Sequence, residues 1–166
     1  TLTDSSAASD VYKRQAVCDV INSTTPPDAI QCGVNVLNSL GAIGYASIKP
    51  NPKLVLDESK KKDIPILAIR AVQAGALTSK MDREPHPSGF DHPDFADYEK
   101  AQPFRELAED WGESPASLAH RYALSIDKVG SVILGIKNRE ELIECLEAEK
   151  KGKLNEEQMK ALNKLF

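Results

Sequence analysis

Val132-Ile133-Leu134-Gly135-Ile136-Lys137-Asn138-Arg139-Glu140-Glu141-Leu142 is the stretch on which the fold turns. Its apolar run, residues 132–134, has the character of a short buried strand. Asn138 followed three residues later by Glu141 is a capping signature that opens a helix. A strand that passes through glycine straight into a helix is half of a β/α unit. Working outward, the same alternation recurs upstream. Residues 64–69, bounded by Asp63 and Arg70, form a second apolar run of strand length, and residues 29–36 read as a first strand.

Between those two strands, Asn51-Pro52 predicts a helix start, with asparagine as cap and proline at the first helical position. That helix runs to about Lys62, where Lys60, Lys61 and Lys62 suit the negative end of the helix dipole. A glycine-containing loop around Gly41 and Gly44 precedes it. Residues 16–22 look like the last turns of another helix, ended by Thr24, Thr25, Pro26 and Pro27. After the second strand a long loop is expected over residues 75–101, marked by Pro85, Pro87, Gly89 and Pro93. Helices follow over residues 103–111, closed by Gly112, and over residues 115–126, started by Ser114-Pro115. In the helix after Asn138, Leu142, Ile143 and Leu146 share a face. Asn155-x-x-Gln158 repeats the capping device before a last helix whose Met159, Leu162 and Phe166 can pack inward. Three strands alternating with helices make an α/β fold with a parallel sheet.

Composition narrows the function classes. With 166 residues and 41% hydrophobic content, the chain can bury the core of one domain, assigned to residues 16–166. Residues 1–15, rich in Ser, Ala and Asp and without periodicity, resemble an adaptor-derived leader and are otherwise a disordered tail; on the first reading the protein continues upstream. No stretch reaches the roughly 20 apolar residues that span a bilayer, and no signal peptide is legible, so a cytoplasmic protein is expected. The net charge of −4, with both signs interspersed, offers no basic field for a nucleic acid. Cys18, Cys32 and Cys145 are odd in number and far apart, which speaks against disulfides and zinc.

Parallel α/β proteins place ligands at the C-terminal ends of their strands. There this chain offers Gly135-Ile136-Lys137 running into a helix N-terminus: a backbone open to close approach, amide donors and a positive charge, which together favour a phosphate. The second strand is followed by Arg70-Ala71-Val72-Gln73-Ala74-Gly75, a turn of small residues with one cation. Gln31 and Asn35 interrupt the first apolar run with amides; these either satisfy neighbouring backbone groups or face a ligand such as a carboxamide. His120 lies within a helix and reads as a surface or packing residue, Trp111 as packing at a helix end, and Cys32 as a small buried hydrophobe. His86, Asp91, His92, Asp94 and Asp97 match no common metal spacing and read as a loop over the site.

Taken together, these segments resemble the aldo-keto reductase family. Residues 31–37 look like its sixth barrel strand, residues 66–80 like its seventh strand and the following turn, and residues 114–142 like its last barrel helix, eighth strand and cofactor signature. The resemblance implies a partial (β/α)8 barrel and a parent enzyme that uses NADP or NAD to interconvert aldehydes or ketones and alcohols. It assigns Gln31 to the nicotinamide carboxamide and Ile69 to the nicotinamide face, where relatives often stack an aromatic ring. Arg70, Ala71, Val72 and Ala74 fall to the pyrophosphate, Gly135, Ile136 and Lys137 to the adenosine ribose and its 2′-phosphate, and Glu141, Glu144 and Cys145 to the adenine end. Glu141 stands where some relatives carry arginine, so NADP and NAD both remain open. Nothing in the chain matches the family's acid tyrosine or its supporting aspartate, lysine and histidine. The chain alone is therefore expected to be inactive. A non-catalytic barrel that binds nucleotide as a regulatory or scaffold domain is the alternative from another class, and a barrel binding a simple phosphate ester is a third.

Overall fold

The computed structural model describes residues 14–41, 51–81, 84 and 93–166. Three short strands, β1 (Ile30–Gly33), β2 (Ile66–Ile69) and β3 (Val129–Val132), pair in that order, each parallel to its neighbour. Among the described residues, seven α-helices connect and flank them: α1 (Arg14–Ile21), α2 (Pro52–Lys61), α3 (Pro93–Lys100), α4 (Gln102–Asp110), α5 (Pro115–Ser125), α6 (Arg139–Lys151) and α7 (Glu156–Asn163).

The capping residues act as their chemistry requires. Asn51, Ser114, Asn138 and Asn155 each accept a hydrogen bond from the amide three residues on, and Asn155 with Gln158 completes a reciprocal capping box. Gly112, at φ +62°, supplies the left-handed residue that lets the chain leave α4.

Side-chain alternation gives the sheet two unlike faces. Ile30, Cys32, Ile66, Ala68 and Val129 are buried against Cys18 and Ile21 of α1, Val55 of α2 and Ala123 of α5. On the other face, the strand register aligns Gln31 with Leu67 and Leu67 with Ser131, a row across all three strands in which Leu67 is 37% exposed. A second core, with Phe104, Leu118 and Leu162 at its centre, joins α4, α5 and α7 to Val36, Leu37, Ala76 and Leu77; Trp111 packs against it.

Five expectations are corrected. β1 stops at Gly33 because Asn35 bends the chain: its carbonyl accepts from Asn38 N at 3.1 Å and its side-chain oxygen from Ser39 N at 3.2 Å. β2 begins at Ile66, since the amide of Ile64 is used to close α2 on Ser59 O at 2.9 Å. β3 lies earlier than the apolar run suggested. Ser131 pairs with Leu67 despite its low strand propensity, Gly130 is skipped in the register as a bulge, and beyond the strand Ile133 contributes one bond to Ala68 O at 2.8 Å. The expected loop over residues 75–101 contains α3, in which Pro93 begins a helix, and a 3-10 turn at Gln73–Gly75 leads into it. On α6, Leu142, Ile143 and Leu146 share an exposed surface, and Phe166, expected to pack inward, is exposed instead. Gly44, His86, Asp91, His92 and most of the presumed leader lie outside the described residues.

Candidate functional site

The C-terminal ends of β1 and β2 meet in a buried polar cluster. Asn35 Nδ2 donates to Ser39 O at 2.8 Å, Arg70 O at 3.2 Å and Gln73 Oε1 at 3.3 Å. Arg70 donates through Nε to Gln73 Oε1 at 2.9 Å and through its terminal nitrogen to Asp94 Oδ1 at 2.7 Å. Gln73 Nε2 and Ser39 Oγ each donate to Asp97 Oδ2 at 2.6 Å. Asp94 is wholly buried and the Arg70 side chain largely so, so their attraction acts where water screens it little.

The cluster holds an unusual backbone. Arg70, Gln73 and Ala74 all have φ between +47° and +57°, conformations that cost side-chain-bearing residues energy and persist only where surroundings enforce them. Gly41 packs directly onto the cluster at φ +52°, and a Cβ there would collide with the Asp94 carboxylate. From α4, Arg105 donates to Ala76 O at 3.1 Å, and Tyr98 of α3 reaches Ser79 O at 3.1 Å. The turn after β2 is thus gripped by α3 and α4.

The third strand end is different. Residues 133–140 are exposed, and a Cβ built on Gly135 would meet nothing within 4 Å, so the backbone there is open to an extended ligand. Asn138 Oδ1 accepts from Glu141 N at 2.9 Å, while Glu141 Oε2 turns back to accept from Lys137 N at 2.8 Å. One turn on, Glu144 accepts from Ser114 Oγ, and Cys145 Sγ lies 3.2 Å from His120 Nε2. Burial pushes the Cys145 thiol up, as do the Glu144 and Glu141 charges, whereas burial pulls His120 down against the opposing pull of Glu144. Both shifts favour a neutral thiol and imidazole. His120 Nδ1 is buried without a hydrogen-bond partner.

The residues singled out in the sequence fall into three groups. Gln31 and Ile69 belong to the sheet face not covered by α1, α2 and α5, and both are half-buried. Gly135, Ile136, Lys137, Glu141, Glu144 and Cys145 form one continuous segment leading into α6. Arg70, Ala71, Val72 and Ala74 make the gripped turn, where Ala71 is buried in the first core, Val72 packs against the second, and the Arg70 guanidinium is engaged by Asp94 and Gln73. Sequence reasoning did not find Ser39, Gln73, Asp94 and Asp97 as a unit, nor the pairing of Ser114 and His120 with Glu144 and Cys145. The available signal was the Asp94-x-x-Asp97 spacing, which puts two carboxylates on one helix face. Among the described residues no group of three or more His, Cys, Asp or Glu side chains could hold a metal ion, and no helix is long and apolar enough to cross a membrane.

Parallel strands alternating with helices, with exposed backbone after β3, have the arrangement of part of a (β/α)8 barrel. The Aldo/keto reductase family model matches residues 14–166, and the chain belongs to that family. Among solved structures it is similar to the aldo-keto reductase AKR11C1 from Bacillus halodurans. Against its apo form the TM-score is 0.64 at 17% identity over 90% of this chain and 47% of that one. Against its holo form the values are 0.63 and 17%, over 90% and 46%. The glycerol dehydrogenase AKR11B4 from Gluconobacter oxydans gives 0.56 at 21% identity, over 82% of this chain and 41% of that one. The chain thus spans about half the length of the solved structures it matches. No match was found among curated proteins.

Proposed function

We propose that this chain is the cofactor-binding part of a cytoplasmic NAD(P)H-dependent oxidoreductase that interconverts small aldehydes or ketones with alcohols. The observation that carries the reading is the exposed backbone at Gly135, leading into the capped start of α6, beside the sheet face that α1, α2 and α5 do not cover. The bound cofactor would supply hydride to a carbonyl carbon. Gln31 can both donate to and accept from a carboxamide, and Ile69 offers an apolar floor beside it. The backbone of residues 135–137 receives the adenosine ribose, and the first turns of α6 border the adenine end. Arg70 acts by shaping its turn, because its guanidinium is already engaged by Asp94 and Gln73. A proton for the carbonyl oxygen would come from further β/α units. Among the described residues, β1 and β3 each pair on one side only, which leaves edges where such units would add.

Titration of the chain with NADH and NADPH, followed by quenching of Trp111 emission and by nicotinamide fluorescence, tests the reading. Saturable binding of at least one cofactor is expected, weakened in Gln31→Leu, with no carbonyl reduction by this chain alone. Failure to bind either cofactor would overturn it, and binding of simple phosphate esters alone would point instead to a phosphate-ester barrel.

A further inference from the structure

We infer that the outer face of α6 is a self-association surface, on which a second copy of this chain docks with its own α6 antiparallel across a two-fold axis. Scattered exposed apolar side chains are ordinary, whereas a concentrated patch marks an interaction site. Among the described residues nine large apolar side chains are exposed, and six of them, Ile133, Leu134, Ile136, Leu142, Ile143 and Leu146, fall between the end of β3 and the middle of α6. Each is 37–51% exposed, so together they present roughly 500 Å² of apolar surface, the size at which a patch on a monomer becomes an interface. An interface of standard size takes about 800 Å² from each partner, a little over half of it apolar. The patch supplies that apolar share. The opposite face of α6 is already taken by α5: Ala148 is buried, Glu144 accepts from Ser114 Oγ, and Cys145 lies against His120.

The order of residues along the open face selects a second copy over an unrelated partner. Arg139, Leu142, Leu146 and Glu149 follow one another at steps of three, four and three residues, so they line one face of the helix, and all four are exposed. A two-fold axis at the level of Glu144 sets Leu142 of one copy against Leu146 of the other, and Arg139 of one against Glu149 of the other. Each contact then occurs twice, as an isologous interface requires. A parallel pairing would instead set Arg139 against Arg139 and Glu149 against Glu149, which like charges disfavour.

Sedimentation equilibrium of the chain over a concentration series tests the inference without any cofactor, and a reversible monomer–dimer equilibrium is expected. Leu146→Glu puts two charges at the centre of the contact and should weaken the dimer at least about a hundredfold. Its urea midpoint should stay close to that of the natural chain, because Leu146 is exposed. Arg139→Glu and Glu149→Arg should each weaken the dimer by about tenfold, since either change sets like charges together at both ends. Mixed in equal amounts, these two variants should associate as tightly as the natural chain, because each supplies the sign the other lacks. A monomer at every concentration would overturn the inference and leave this face to further β/α units of a longer polypeptide. A dimer that survives Leu146→Glu would overturn it in favour of pairing along the open edge of β3. A mixture that associates no better than the single variants would overturn the antiparallel contact itself.

Discussion

Asp94 is wholly buried, and Arg70, 24 residues away in sequence, donates to it. Removing one partner of such a pair strands the other charge away from water, which typically costs about 3–5 kcal/mol. Asp94→Ala should therefore lower the free energy of unfolding in urea by roughly that much. The double variant Arg70→Met with Asp94→Leu should recover most of the loss, because the penalty comes from the stranded charge and not from the missing attraction. Neither residue announces this pairing. Asp94 sits beside prolines, histidines and acids that together read as a loop, and Arg70 follows a strand where a ligand-facing role is equally natural. His120 shows the same limit: its place inside a helix was legible, but its contact with Cys145 on α6 follows from how two helices cross.

At the scale of elements, the helix starts were the most legible feature, because a cap is a local contact between a side chain and the amide three residues on. Asn138→Ala and Asn155→Ala should each cost about 1 kcal/mol, read as a lowered Tm. The second should fray α7 and loosen Leu162 from the core it helps to close. Strand bounds were less legible. β3 begins at Val129 because Lys128 O accepts from Ile66 N at 2.8 Å, and no apolar pattern marks the bulge at Gly130 or the pairing of Ser131 with Leu67. α3 was hidden for a related reason: its inward residues include Asp94, and a helix that buries a charge lacks the apolar stripe by which helices are recognised.

For the whole molecule, the junction of α5 with the end of α6 carries a pH dependence. Burial opposes ionisation of Glu113, but hydrogen bonds from Ser117 and Arg121 and the charges of Arg121 and Lys151 outweigh it, holding the carboxyl below its ordinary 4.5. A group whose folded value is depressed contributes stability in full above the unfolded value and loses it as pH falls through the folded one. Thermal melts should therefore show Tm falling below pH 4.5, with a shallower acid limb in Glu113→Gln.

The alternation of strands and helices, the four caps and the membership implied by residues 31–37, 66–80 and 114–142 were all determined by the sequence, since each rests on short-range periodicity or on a contiguous motif. Tertiary structure alone decided which carboxylates are buried, that Arg70 is held by Asp94 and Gln73, and that Glu141 folds back on the Lys137 amide. It also decided which sheet face is covered: α1, α2 and α5 bury one side, while the row through Gln31, Leu67 and Ser131 lies on the other. The physical reason is common to these cases. A charge or an amide acquires its role from partners that converge from separate segments, and that convergence is set by packing and strand register, to which local pattern is blind.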